Sequence, residues 1–192
     1  MVVLNRIYTR TGDEGMTMLG NGEYRKKYDL RVSAYGTVDE VTSAIGIARL
    51  HTADAPAIDA MLARIQNDLF DLAADLCSPD VGKGPGGARL AVNAAQVKRL
   101  EDEIDTLNAE LAPLRTFVLA GGTPAAAYLH LARTVCRRAE RIMVELRDQP
   151  GETVTDASLK YVNRLSDFLF VAGRYANDKG ARDVLWAPGQ NR

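Results

Sequence analysis

One stretch of the sequence decides the fold: Ala120-Gly-Gly-Thr-Pro-Ala-Ala-Ala-Tyr-Leu-His-Leu-Ala-Arg-Thr-Val-Cys-Arg-Arg-Ala-Glu-Arg141. Within it, Thr123 and Pro124 form the pair that is typical of an N-cap and the first helical residue. Neither proline nor glycine occurs again until Pro150-Gly151 closes the segment. The stretch therefore predicts one long helix that begins at residue 124, the fourth of five.

Apolar residues recur at helical spacing along most of the chain, from about Thr37 onward. Residues 1–35 lack such a period and are rich in Thr, Gly, Tyr and charge, so they are predicted to form an ordered loop region without helix or strand. Five amphipathic helices with little strand signal predict one domain over residues 1–192, an all-α five-helix bundle at 36–180 with a C-terminal tail at 181–192. The five apolar stripes are Val38, Val41, Ile45 and Ala48; Ile58, Met61, Ile65, Leu69, Leu72 and Leu76; Val97, Leu100, Ile104, Leu107 and Leu111; Leu131, Val135, Ala139, Ile142 and Leu146; and Leu159, Val162, Leu169 and Ala172.

The composition is that of an ordinary globular protein and excludes several function classes. Of the 192 residues, 46% are hydrophobic and 26% charged. The net charge of −1 gives no general attraction to nucleic acid or anionic lipid, so neither is an expected partner. No apolar run is long enough to cross a bilayer, and the N-terminus does not predict a signal peptide. Cys77 and Cys136 lack metal-ligand spacing, which favours free thiols and no metal site. Free thiols are consistent with a reducing cytoplasm or organelle matrix, and a cytoplasmic location is predicted.

The segment Val81-Gly-Lys-Gly-Pro-Gly-Gly-Ala-Arg89 resembles a phosphate-binding loop only superficially. It lacks the Gly-Lys-Ser/Thr ending of a P-loop, and it follows a helix where a P-loop follows a strand. It is therefore predicted to be a mobile connection between the second and third helices.

Arginines crowd the predicted fourth helix, and their spacing puts three of them on one face. Arg133, Arg137 and Arg141 recur every four residues, with Arg138 beside them. At roughly 100° per residue they project away from the apolar stripe of their helix, as Asp39 does on the first helix. Such outer faces are solvated, pair with carboxylates or bind an anion, and the planar arginine fork favours the last two. A site on an outer face is shallow unless a second subunit covers it, so a homo-oligomeric interface is predicted.

The N-terminal region offers complementary chemistry in Tyr8-Thr-Arg-Thr-Gly-Asp-Glu-Gly-Met-Thr17, which combines hydroxyls, backbone N–H groups and two glycines. Turns of this composition can form concave anion sites without a P-loop. Lys27 follows shortly after. Alone, such a segment is more often a plain turn, but together with the arginine helix it makes a polyphosphate the best single ligand class.

Six stretches of the chain carry motifs that occur together in one family. They are Ile7-Tyr-Thr-Arg-Thr-Gly-Asp-Glu-Gly, Tyr35-Gly-Thr-Val-Asp-Glu-Val, Phe117-Val-Leu-Ala-Gly-Gly, Ala132-Arg-Thr-Val-Cys-Arg-Arg-Ala-Glu-Arg, Tyr161-Val-Asn-Arg-Leu-Ser-Asp-Phe-Leu-Phe and Leu185-Trp-Ala-Pro-Gly. In this order they resemble the PduO-type ATP:cob(I)alamin adenosyltransferases over nearly the whole chain. The resemblance implies a ferritin-like homotrimer of five-helix subunits with active sites between subunits. It also implies transfer of the 5′-deoxyadenosyl group of ATP to the cobalt of cob(I)alamin, with release of triphosphate.

The resemblance further implies roles for individual residues. The catalytic positions of the family match Arg137, an intersubunit salt bridge between Asp39 and Arg133, and Phe117 in an aromatic wall beneath the corrin ring. ATP brings Mg²⁺, and the protein is expected to contribute no metal site of its own. The ATP-binding positions of the family match Thr9, Arg10, Thr11, Gly12, Thr17, Met18, Lys27, Arg137, Arg138, Ala139, Glu140, Arg141 and Asn163.

The implied mechanism needs alignment more than acid–base chemistry, because cobalt(I) is itself a strong nucleophile. Preorganised cations, among them Arg137, Lys27 and Mg²⁺, stabilise the charge that grows on the triphosphate. Phe117 is expected to crowd out water and the lower axial base, which leaves cob(II)alamin four-coordinate and easier to reduce.

Three further residues carry expectations. Ala120 stands where the family commonly has proline before the glycine pair, which is expected to loosen the start of the fourth helix and to shift Phe117 slightly. His130 is expected to be a packed, hydrogen-bonded histidine. For Trp186 two roles are equally expected, namely a contact with the corrinoid or packing in the core or at an interface.

Two other functions fit the same residues. One is a carrier or sensor that binds cobalamin or ATP without turnover, and the other is a structural helical trimer whose arginines only form salt bridges. For the enzyme, a cobalt reductase and an adenosylcobalamin-dependent enzyme are the expected protein partners.

Overall fold

The computed structural model describes residues 7–79 and 90–191, and within them the chain forms five helices and two small antiparallel ribbons. The five-helix prediction is confirmed, and the predicted connection at Val81–Arg89 lies outside the described residues. The helices are α1 Leu30–Arg49, α2 Pro56–Cys77, α3 Ala94–Asn108, α4 Pro124–Arg147 and α5 Asp156–Ala176. The strands are β1 Met16–Met18, β2 Tyr24–Lys26, β3 Val118–Leu119 and β4 Val184–Leu185.

The prediction that residues 1–35 contain neither helix nor strand is wrong in two respects. Strands β1 and β2 pair as a hairpin, and α1 begins at Leu30 because Asp29 caps it by accepting a hydrogen bond from the backbone N–H of Arg31. Three-residue strands are too short to show an alternating pattern. The first turn of α1 was missed because its buried residue is an arginine, which does not register as an apolar position.

Helix α4 packs between α1 and α5, while α2 lies on α1 and α3 lies on α5. The predicted core stripe of α4 is confirmed only for Ala139 and Leu146, since Leu131 is 47% exposed and both Val135 and Ile142 are only partly buried. A helix with neighbours on two sides buries small residues at the close contacts, which a search for large aliphatic residues overlooks. The buried residues of α4 are Ala125, Ala126, Leu129, His130, Ala132, Cys136, Ala139, Met143 and Leu146.

The remaining stripes are largely confirmed. Every predicted core residue of α1 is buried, and the exceptions elsewhere are Met61, Ile104, Leu159 and Leu111, all partly buried, of which Leu111 lies beyond the end of α3. Cys136 is buried and donates its Sγ–H to the carbonyl of Val162, and both cysteines are free thiols. In the part of the chain that the structure covers, no helix has the length and apolar character needed to span a membrane.

Buried ion pairs fasten the N-terminal hairpin to one end of the bundle. Arg31 is fully buried and donates to Glu152 Oε2 at 2.8 Å and to the carbonyl of Leu76 at 2.7 Å. Arg25, on β2, donates to the other oxygen of Glu152 at 2.9 Å. One carboxylate between α4 and α5 therefore holds both the hairpin and the first turn of α1.

Candidate functional site

The N-terminal turn is compact and has a lysine over its glycine. The backbone N–H groups of Asp13 and Gly15 donate to the carbonyls of Arg10 and Gly12, and Arg10 has a positive φ of 65°. A Cβ atom added to Gly12 would come within 2.9 Å of Lys27 Nζ. A side chain at residue 12 would displace this ammonium group, so the structure brings a residue of the turn together with a lysine that lies outside the turn motif.

Hydroxyl groups line the same region. The Oγ1 atoms of Thr9 and Thr11 are 2.9 Å apart in an exposed hydrogen bond. Thr17, on β1, hydrogen-bonds the side chain of Tyr35, whose pKa is raised mainly by burial. Met18, at the end of β1, is 57% exposed. The sequence did not assign a role to Tyr35, although it lies in one of the quoted motifs.

The arginines of α4 divide into paired and unpaired sets. Arg138 forms a salt bridge with Glu40 of α1, and Arg147 lies 3.8 Å from Asp148. Among the described residues, no carboxylate pairs with Arg133, Arg137 or Arg141. These unpaired arginines, called here the arginine ladder, are the three that recur every four residues.

Arg133 departs from the outer-face prediction because it is only partly exposed, whereas Arg137 and Arg141 are exposed. Its Nε atom is buried and has no hydrogen-bond partner in the described chain. Burial lowers the pKa of Arg133, and repulsion from Arg137 lowers it further. Asp39, its expected partner, is exposed and forms no ion pair with it within the described chain.

Two polar residues lie beside the arginine ladder. Glu140 accepts a hydrogen bond from Asn163 Nδ2 at 2.7 Å, which joins α4 to α5. Asn163 in turn accepts one from Arg164 at 2.9 Å. Ala139 is fully buried in the core, so its side chain is not presented to a ligand.

Within one chain the two cationic regions remain separate. No hydrogen bond or ion pair of the described residues joins Gly12 or Lys27 to Arg137 or Arg141. Each region is open to solvent on its own.

An exposed aromatic pair lies at the second ribbon. Phe117 is 76% exposed, and its ring centroid is 5.9 Å from that of Trp186 at an angle of 54°. The backbone N–H of Trp186 donates to the backbone carbonyl of Phe117 at 2.9 Å. This hydrogen bond lies beside the paired strand residues Val118 and Leu185. Sequence reasoning missed this ribbon because two-residue strands carry no periodic signal.

His130 is buried as predicted, but the expected hydrogen bonds are absent: neither ring nitrogen has a partner among residues 7–79 and 90–191. Its ring packs edge-on against Phe170 at 6.0 Å, and burial lowers its pKa. A neutral ring without partners is unsuited to act as a base here, because burial opposes its protonation.

Comparison with known proteins identifies the family. The sequence profile of the cobalamin adenosyltransferases matches residues 7–176. The chain belongs to this family. The resemblance to PduO-type enzymes is thereby confirmed, and the protein is a transferase of the corrinoid adenosyltransferase class.

Relatives match the chain over nearly its full length. The corrinoid adenosyltransferase of Mycobacterium leprae (strain TN) is 47% identical over 189 residues, which is 97% of each chain. The cobalamin adenosyltransferase of Cupriavidus metallidurans is 46% identical over 185 residues, which is 95% of each chain.

Solved structures of the family share the fold. A variant of the PduO-type ATP:corrinoid adenosyltransferase from Lactobacillus reuteri, complexed with cobalamin and ATP, superposes with a TM-score of 0.86 and 36% identity. The match covers 94% of this chain and 99% of that one. A second variant of that enzyme, complexed with ATP, gives a TM-score of 0.82.

Proposed function

We propose that this protein transfers the 5′-deoxyadenosyl group of ATP to the cobalt of cob(I)alamin, in active sites shared between the subunits of a homotrimer. The observation that carries the proposal is the arginine ladder. Arg138 and Arg147 of the same helix have carboxylate partners, whereas the ladder has none in the described chain. Unpaired guanidinium groups in register are suited to an anionic ligand such as a triphosphate.

The ATP half of the site consists of the N-terminal turn and the ladder. Lys27, over the Gly12 turn, and the exposed Arg137 and Arg141 supply cations for the triphosphate. In the reaction the cobalt(I) electron pair forms the bond to C5′ of the ribose, and the C5′–O5′ bond breaks. Its electrons leave on the triphosphate, where fixed cations stabilise the added charge.

A second subunit is needed to complete the site. Among the described residues of one chain, no hydrogen bond or ion pair joins the turn to the ladder, and most residues of both are exposed. The buried, unpaired Nε of Arg133 and the exposed Asp39 suit a salt bridge across the interface. Such a bridge places the turn of one subunit beside the ladder of its neighbour.

The corrinoid half of the site lies at the exposed aromatic pair. The Phe117 side chain, 76% exposed, can pack under the corrin ring and occupy the place of water and of the lower axial base. Packing of this kind favours four-coordinate cob(II)alamin, which is easier to reduce.

Mg²⁺ would accompany ATP. In the described chain there is no group of three or more His, Cys, Asp or Glu side chains able to hold a metal ion. Mg²⁺ commonly keeps phosphate and water oxygens as most of its ligands in sites of this kind. Its contribution would be to neutralise phosphate charge. The two free cysteines fit a reducing compartment such as the cytoplasm.

An anaerobic assay tests the reaction. The purified protein is mixed with ATP and chemically reduced cobalamin, and the absorption spectrum is followed for the cobalt–carbon product. We expect adenosylcobalamin and stoichiometric triphosphate. A folded protein that binds both substrates without forming product would be a carrier or sensor, and one that binds neither would be a structural trimer.

A further inference from the structure

We propose that three residues with buried side chains, Arg174, Asn177 and Asp183, form a positioning cluster that sets the place of Phe117 and Trp186 for corrinoid binding. The proposal rests on the proposed function for its kinetic consequence, but not for its structural one. None of the three residues lies in a motif that suggested the family.

Arg174 and Asp183 form the charged part of the cluster. Their side chains are only 7% and 3% exposed, and Arg174 Nε donates to Asp183 Oδ2 at 2.8 Å. Arg174 Nη2 also donates to the carbonyl of Ala112 at 3.0 Å. A buried charge pair tolerates little displacement, because moving one partner leaves the other desolvated and unpaired. The pair therefore ties residue 112 to residue 183 through the end of α5.

Asn177 extends the cluster to the start of α4. It is fully buried, and its Nδ2 atom donates to Asp183 Oδ1 and to the Gly121 carbonyl, both at 3.2 Å. Its Oδ1 atom accepts from the Thr123 N–H at 2.8 Å. A Cβ on Gly122, whose φ is +94°, would lie 2.2 Å from that oxygen. The start of α4 is thus fastened by Asn177, even with Ala120 in place of the proline common in the family.

These contacts hold the segments that flank the ribbon of β3 and β4, called here the aromatic ribbon because Phe117 and Trp186 lie next to its strands. Ala112 precedes the Phe117 segment, Gly121 follows it, and Asp183 is adjacent to strand β4. Beyond the cluster, Thr116 Oγ1 donates to the Trp186 carbonyl at 3.0 Å, which links the segment of Phe117 to that of Trp186 by a further hydrogen bond.

The partners of the cluster distinguish positioning from general stabilisation. Among residues 7–79 and 90–191, the side-chain hydrogen bonds of the cluster go to residues 112, 121, 123 and 183, in the segments that flank the ribbon, and none goes to α1, α2 or α3. The rings it supports are themselves exposed rather than buried in the core. Loss of the cluster should therefore move the aromatic pair before it unfolds the bundle.

The fluorescence of Trp186 gives a direct test, since it is the sole tryptophan of the chain. We expect Asp183→Asn to shift its emission to the red and to increase quenching by acrylamide, because the ring leaves Phe117. The control is Asp68→Asn, which removes the largely buried partner of Arg99 in an ion pair elsewhere in the bundle. If Asp183→Asn does not fold, Arg174→Lys retains the charge but not both hydrogen bonds, and the same shift is expected.

Kinetics complete the test. In the folded variant we expect the corrinoid KM to rise at least about tenfold, equivalent to about 1.4 kcal/mol, while the ATP KM changes less than about twofold. Unchanged emission and corrinoid KM, or an equal emission shift in the control, would overturn the proposal. Absence of product with the unaltered protein would refute the proposed function instead, and the fluorescence result would still decide the positioning role.

Discussion

The ammonium group of Lys27 lies beside Gly12, so close that a methyl group on the glycine would come within 2.9 Å of it. This contact joins the residue that follows β2 to the N-terminal turn and places a positive charge at the proposed triphosphate site. It depends on the absence of a side chain at residue 12.

Gly12→Ala should therefore displace Lys27 and weaken nucleotide binding. We expect the ATP KM to rise roughly tenfold, the equivalent of ~1.4 kcal/mol, with little change in melting temperature. The measurement is steady-state kinetics at saturating cob(I)alamin. Gly46→Ala in the middle of α1 is the control, because its added Cβ meets only the flexible end of Gln66 at 3.4 Å. An ATP KM equal to that of the unaltered protein would show that Lys27 does not act through this contact.

Arg137→Ala should remove activity while leaving the fold intact. Its guanidinium is exposed and unpaired in the described chain, so truncation breaks no ion pair of the subunit. We expect kcat to fall by roughly 10²–10³-fold, the usual effect of losing one preorganised donor. Arg147→Ala, at the end of the same helix, is the control and should retain activity. Equal activity of the two variants would contradict the assignment of the ladder to triphosphate.

Arg133→Ala and Asp39→Asn should each weaken both assembly and activity. Arg133 is partly buried with an unsatisfied Nε, and its pKa is lowered, as expected for a cation that lacks its counter-charge in one subunit. Sedimentation analysis of the single variants and of the double variant measures the coupling between the residues. A fully assembled and fully active Arg133→Ala variant would refute the interface bridge.

Phe117→Ala should abolish the four-coordinate cob(II)alamin signal without destabilising the protein, because the ring is 76% exposed. Electron paramagnetic resonance of the protein with ATP and cob(II)alamin is the measurement. Phe70→Ala on α2, where the ring is 66% exposed, is the control. An undiminished four-coordinate signal in Phe117→Ala would disprove the packing role.

The buried ion pair of Arg31 with Glu152 predicts how stability depends on pH. Burial alone would raise the pKa of Glu152, but hydrogen bonds from Arg31 and Arg25 outweigh it and the pKa is lowered. The pKa of Glu152 is therefore lower in the folded protein than in the unfolded chain. The stabilisation that this ion pair contributes is complete above the ordinary glutamate pKa of ~4.3, and it is lost as the pH falls through the folded-state pKa of Glu152.

Denaturant unfolding between neutral and acidic pH checks this expectation. The unaltered protein should lose stability below the ordinary glutamate pKa. Glu152→Gln should be less stable by about 3 kcal/mol at neutral pH, because it leaves Arg31 buried without a counter-charge. The difference in free energy of unfolding between the unaltered protein and Glu152→Gln should shrink in acid. A difference that does not change with pH would contradict the link between the ionisation of Glu152 and stability.

Much of the fold follows from local signals. The start of α4 is readable from Thr123 and Pro124, and the structure shows that Thr123 does cap the helix by accepting from the Ala126 N–H. The core stripe of α1 was predicted because large aliphatic residues recur on one face. The stripe of α4 was predicted only in part, since small residues such as Ala132 and Cys136, which are buried where α4 packs between two helices, give a weak periodic signal.

The sequence by itself determined the family, the helices and the residue types of the candidate site, because caps, periodicity and motifs depend on neighbours within a few turns. Tertiary structure decided which arginines have partners: Arg138 is paired because Glu40, 98 residues away, lies on the adjacent helix. It also placed Lys27 over Gly12 and Trp186 against Phe117. Spacing along the chain cannot specify such pairs, because their geometry is set by how distant helices and ribbons pack together.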